Sequence, residues 1–119
     1  MTPRDVRDSN RHKLTLTIPN PCLCLVTDRS LAGSVSLVSR VVQAVEGGVD
    51  MVQIREKDLP GGRLLALAQS LKDAVQGSAL LIVNDRADIS QIVGASGVQL
   101  GEDGLTVSSV RSILGMECL

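Results

Sequence analysis

The 119-residue chain has no Phe, Tyr or Trp. Single-stranded nucleic acids are held largely by bases stacked on aromatic rings, so that kind of platform is excluded. The core must come instead from Leu, Val, Ile, Ala and Met. Formal net charge is −1, so no general attraction draws the chain to nucleic acid or to an anionic membrane. Any anion site must therefore be local. The only histidine is His12, in a polar segment, which excludes a histidine metal cluster. No run reaches the ~18 apolar residues of a membrane helix. The N-terminus has no apolar signal region, so the expected location is cytoplasmic. The three cysteines, Cys22, Cys24 and Cys118, are expected to be buried free thiols. A Gly-x-Gly-x-x-Gly loop is missing after the first strand, and there is no P-loop; both absences count against a nucleotide-binding fold.

Length suits one domain that buries roughly two thirds of its unfolded surface. Residues 1–21 read as a polar, flexible tail broken by Pro19-Asn20-Pro21. Residues 22–119 read as one α/β unit. Cys22 to Thr27 is a short apolar run, expected to be a strand covered on both sides. Helical spacing follows through Val35, Val38, Val41, Val42 and Val45, predicting a helix over 31–46 that Gly47-Gly48 stops. Val49 to Lys57 is the second strand. Asp58 and Pro60 set up a helix carrying Leu64, Leu65, Ala68, Leu71 and Val75. Ala79 to Val83 is a buried third strand, and a short helix spans 87–93. Gly97 to Leu100 is a fourth strand. Thr106 caps a last helix that Gly115 ends.

Strand and helix thus alternate four times, which predicts a parallel α/β sheet. An open doubly wound sheet and part of a (β/α)8 barrel both fit. Polar groups at the ends of strands two, three and four favour the barrel, whose sites gather side chains from several strand ends.

The second strand carries the clearest chemistry. Period-two alternation puts Met51, Gln53, Arg55 and Lys57 on one face and Val52, Ile54 and Glu56 on the other. Two cations about 7 Å apart on a rigid strand suit a diphosphate. The bland alternative pairs Arg55 or Lys57 with Glu56 or Asp58. Asn84 and Asp85 end the third strand. They suit ligand recognition and Mg2+ ligation respectively, or else cap the following helix. Glu102 and Asp103 either complete a metal site or form a solvated acidic turn.

Five segments carry a resemblance: Leu25-Val-Thr-Asp-Arg29, Glu46-Gly-Gly-Val49, Val52-Gln-Ile-Arg-Glu-Lys-Asp-Leu59, Ile82-Val-Asn-Asp-Arg86 and Gly97-Val-Gln-Leu-Gly101. In this order and spacing, the chain from about Leu23 to Gly115 resembles the thiamine phosphate synthase family. The resemblance implies the first four units of a (β/α)8 TIM barrel. It implies a transferase of thiamine biosynthesis that joins hydroxymethylpyrimidine diphosphate to a thiazole phosphate. Pyrophosphate leaves, and the thiazole nitrogen captures the pyrimidine-methyl cation. By motif match, Gln53, Arg55, Lys57 and Asn84 bind the pyrimidine diphosphate, and Asp85 is a ligand of the cofactor Mg2+. The implied partners are these two small molecules, with no nucleic acid and no membrane.

Three departures from the family pattern stand out. An ungapped match puts Gly104 where the family has a second Mg2+-binding Asp, leaving Asp103, or Glu102, to serve after a loop shift. Cys24 stands where the family often has Tyr, and Gln99 where it often has His. Met116 to Leu119 falls where a fifth strand is due, so the expectation is a half-barrel from a shortened reading frame. Such a half-barrel has two open edges and a route to self-association. Two other readings remain: the related thiazole tautomerase branch, and a non-catalytic phosphate-binding remnant.

Overall fold

Four short strands and four helices alternate in a computed structural model that describes residues 17–119. The strands are β1 (Cys24–Val26), β2 (Met51–Ile54), β3 (Leu80–Asn84) and β4 (Gly97–Gln99). The helices are α1 (Leu37–Glu46), α2 (Gly61–Val75), α3 (Ala87–Val93) and α4 (Val107–Leu114). All three strand pairs are parallel, in the order β1-β2-β3-β4. Parallel neighbours cannot be joined by a tight turn, so a helix runs back between each pair. The expected parallel α/β class is therefore found. Residues 1–16 of the expected tail, with His12, lie outside the described residues.

Strand register decides which side chains share a face. Leu25, Val52 and Leu81 lie in one row, and Ile54, Val83 and Val98 in another. These rows face the helices. Val52, Ile54, Leu81 and Val83 are buried, and they pack with Val41, Val45, Leu64, Ala68 and Leu71 from α1 and α2. Val26, Gln53, Ile82 and Gly97 form a row on the opposite face, and Asn84 with Gln99 forms the next. We call this opposite side the inner face.

Several boundaries differ from the expectations. The first helix starts at Leu37, not near Leu31. Arg29–Leu31 forms a 3-10 turn, whose Ser30 N–H donates to Asp28 Oδ1 at 3.0 Å. Gly33, at φ 72°, then takes a left-handed conformation that no continuing helix allows. Ser36 Oγ caps α1 by accepting from Ser39 N at 3.2 Å. The second strand stops at Ile54, because Arg55 N–H donates to the Thr27 hydroxyl at 3.0 Å instead of to a strand carbonyl. The third strand is buried as expected, but the first is not covered on both sides. Val26 is 47% exposed on the inner face, and Cys24 is exposed beside it. The cysteines are free as expected, but Cys24 is not buried and Cys22 and Cys118 are only partly so.

The last residue takes part in the sheet. Leu119 N–H donates to Ser96 O at 2.9 Å, and Val98 N–H donates to Leu119 O at 3.1 Å. That is the parallel ladder pattern, with Leu119 opposite Gly97. A side chain at Gly97 would collide with the Leu119 backbone, so glycine permits this close approach.

The core assignment has a direct test. Leu71 is wholly buried, whereas Leu31 is 81% exposed. Leu71→Ala should cost about 2–5 kcal/mol in urea unfolding, and Leu31→Ala less than about 0.5 kcal/mol. Comparable losses at both positions would contradict the helix-to-sheet core.

Candidate functional site

The carboxyl ends of β1 to β4 surround a concave, open cavity of about 620 Å3. Gln53, Arg55, Lys57, Asn84, Asp85 and Gln99 line it, together with Val26 and Gly101. All five residues assigned to substrate and first metal ligand from the sequence therefore meet in one place. Gln53 and Asn84 come from inner-face positions of β2 and β3. Arg55 and Lys57 lie just past the end of β2. The in-out alternation outlasts the ladder there: Arg55 is exposed, Glu56 buried and Lys57 exposed.

The two cations are not consumed by salt bridges. Neither the Arg55 nor the Lys57 side chain makes an ion pair or hydrogen bond with another described residue. Their acidic sequence neighbours are held by Arg29 instead. Glu56 Oε1 accepts from Arg29 N and from Arg29 Nη1, both at 3.1 Å. Asp58 takes a bidentate pair, Nη1 to Oδ1 at 3.1 Å and Nη2 to Oδ2 at 2.8 Å. That hydrogen bonding holds the Asp58 carboxyl below the usual carboxylate range. The Glu56 side chain is only 4% exposed, and its Oε2 has no partner.

Asp85 adopts a left-handed backbone at φ 62°, which Asp tolerates better than most residues. Its Oδ1 accepts from Gly101 N at 3.2 Å, tying the loop after β3 to the loop after β4. It does not cap α3, whose N-cap is Arg86, without a side-chain bond. A Cβ at Gly104 would sit 2.8 Å from Asp85 Oδ1, so glycine lets the β4–α4 loop close on that carboxylate. Asp103 and Glu102 are exposed on this loop and are not brought to the cavity wall. Among the described residues, no group of three or more His, Cys, Asp or Glu could hold a metal ion. One carboxylate, Asp85, therefore faces the cavity. Mg2+ commonly takes one or two carboxylates and fills its shell with water and substrate phosphate. The residues fit that ion only as a site that a phosphate ligand completes.

Thr27 and Arg29 are supporting residues not singled out from the sequence, and Glu56, named there as a partner for Arg55 or Lys57, pairs with Arg29 instead. The buried Thr27 hydroxyl fixes the Arg55 backbone, and Arg29 fixes its neighbours. Their partners lie 27 or more residues away, so local pattern carries no trace of them. Gln99 carried a signal: it alternates in phase with Gly97 on the inner face. Partial desolvation by its neighbours, and then the charge of Cys22, push the Cys24 thiol up, so it stays protonated near neutral pH.

Two outcomes follow from this geometry. Gly104→Ala should push Asp85 off the Gly101 N–H, seen as faster hydrogen exchange at Gly101 with the remaining amides unchanged; an unmoved Gly101 would contradict the close approach. Arg86 likewise holds the Asp88 carboxyl down through hydrogen bonding. Carboxyls lowered in the folded state add stability above the unfolded value of about 3.9 and lose it as pH falls through the folded value. Stability should thus drop below about pH 4, and the drop should be shallower in Asp58→Asn and Asp88→Asn. An identical acid profile in both variants would refute these pairs.

The comparisons with known proteins identify the family. The family model for thiamine monophosphate synthase matches residues 23–119. The thiamine-phosphate synthase of Syntrophomonas wolfei is 46% identical over 96 residues, covering 80% of this chain and 46% of that protein. The thiamine-phosphate synthase of Roseiflexus castenholzii is 36% identical over 113 residues, covering 91% and 50%. The solved thiamine phosphate pyrophosphorylase of Pyrococcus furiosus superposes with a TM-score of 0.70 at 32% identity, covering 77% of this chain and 45% of that one. This chain spans about half the length of the curated relatives it matches. With the model matched from Leu23 to the last residue and the strand-end side chains gathered in one cavity, the chain belongs to the thiamine monophosphate synthase family.

Proposed function

We propose that this chain carries the pyrimidine-diphosphate half of a thiamine phosphate synthase site. In this reading it is the first four units of a (β/α)8 barrel, and its inner face is the barrel interior. The observation that supports it best is the pair of cations, Arg55 and Lys57, exposed at the cavity with no anionic partner among the described residues. Two exposed cations side by side repel each other modestly through water, and an anion that binds both relieves that repulsion. A diphosphate supplies several negative oxygens, and the planar Arg55 fork suits two of them at once. Gln53 and Asn84 offer amides, each able to donate and accept, which suits the edge of a pyrimidine ring.

Asp85 is the residue that would hold Mg2+, with the diphosphate completing the shell. The chemistry Mg2+ supplies when bound is neutralisation of diphosphate charge. The reaction class is loss of pyrophosphate from the pyrimidine-methyl carbon, followed by bond formation to a thiazole nitrogen. The C–O bond breaks with its electron pair going to pyrophosphate. Arg55 and Lys57 meet that developing charge, so their contribution grows toward the transition state. The thiazole phosphate and a cytoplasmic setting belong to the same reading. The exposed inner face also supports self-association, with sedimentation velocity as the check. No helix of the described residues is long and apolar enough to cross a membrane.

The reading is tested by calorimetric titration of the chain with hydroxymethylpyrimidine diphosphate, with and without Mg2+. Binding should tighten with Mg2+, and Asp85→Asn should remove that gain. Arg55→Ala should weaken binding at least about tenfold, the scale of one charge-assisted hydrogen bond. Binding that ignores both Mg2+ and Arg55 would overturn the proposal.

A further inference from the structure

We infer that Arg29 is a positioning residue that keeps Arg55 and Lys57 open to an anion by occupying Glu56 and Asp58. The inference rests on the diphosphate reading above and adds a residue to it. Along the chain, cation and acid alternate: Arg55, Glu56, Lys57, Asp58. Alternation turns Glu56 away from the cations, but the turn at Lys57-Asp58 leaves an exposed acid beside them that can compete with a ligand. In the fold this does not happen, because one guanidinium from the loop after β1 takes both acids.

The geometry is suited to that task. Arg29 Nη1 donates to Glu56 Oε1 and to Asp58 Oδ1, and Nη2 donates to Asp58 Oδ2. The planar fork pairs Asp58 bidentately while still serving Glu56, a geometry that the single nitrogen of a lysine ammonium does not match. The Arg29 backbone N–H adds a further bond to Glu56, so the loop is registered even before the side chain closes. Glu56 points away from the cavity and is buried, held there by Arg29. Asp58 is the exposed member: its side chain is 74% exposed, and the Arg29 fork holds it by two hydrogen bonds. It directly follows Lys57 and is the acid most able to swing onto the cations.

The test must keep the fold intact. Arg29→Met alone would strand the buried Glu56 carboxylate, so it is paired with Glu56→Gln, which leaves net charge unchanged. Inorganic pyrophosphate is titrated into four proteins: the parent, Asp58→Asn, Arg29→Met/Glu56→Gln, and the triple variant. Asp58 is released only when Arg29 is gone. Asp58→Asn should therefore change affinity little in the parent, and should recover in the triple variant the roughly threefold loss seen in the double variant, the scale of an exposed ion pair. An equal effect of Asp58→Asn in both backgrounds, or a double variant that binds like the parent, would overturn the inference. A parent that does not bind pyrophosphate would defeat the diphosphate reading instead. The role of Arg29 would then be decided without ligand, by NMR titration of the Asp58 carboxyl in the double variant. A carboxyl pKa that rises further when Arg55 and Lys57 are also replaced by Met means that they have taken the carboxylate, as inferred; no further rise contradicts the inference.

Discussion

A carboxylate buried at the rim of a sheet has to be held, and much of this structure follows from how Glu56 is held. Its charge cannot stay inside without a donor. Arg29 supplies two, from backbone and side chain. That joins the loop after β1 to the loop after β2 across the sheet edge. The same guanidinium reaches Asp58. With both acids engaged on the helix side or at the rim, Arg55 and Lys57 are left to face the cavity. A structural ion pair thereby sets the electrostatics of the candidate site without touching it.

The remaining features of the site follow from register. In a parallel sheet, residues in one row share a face, so Gln53, in register with Ile82, and Asn84, in register with Gln99, project to the inner side together. Thr27 closes the row end by accepting the Arg55 N–H, which stops the ladder at Ile54 but keeps the alternation going to Lys57. Asp85 links the next two loops through Gly101, and Gly104 leaves room for its carboxylate. The ends of β1 and β2, and those of β3 and β4, are thus tied by polar contacts. In the proposed reading, the tied loops carry the side chains that meet a diphosphate and Mg2+.

Much of this was legible in the sequence where the cause is local. Helix α3 spans the expected residues, because its apolar spacing and the glycine after it are both short-range signals. The gathering of Gln53, Arg55, Lys57, Asn84 and Asp85 was legible from alternation and from the resemblance together. What escaped was set by partners distant in sequence. The end of β2 depends on a hydroxyl 28 residues away. The exposure of Cys24 and Val26 depends on whether a second layer covers their face, which an apolar run does not specify. The choice of Arg29 over Arg55 or Lys57 as the partner of Glu56 is a three-dimensional choice among like charges.

The central claim is that the anion site lies at the mouth formed by the ends of β2 and β3. Amide shift mapping by NMR during titration with pyrophosphate and Mg2+ addresses it directly. The account predicts the largest shifts at Gln53, Arg55, Lys57, Asn84 and Asp85. Largest shifts at Gly61 to Arg63, where α2 begins without a side-chain cap, would place the anion at that helix end and contradict the account.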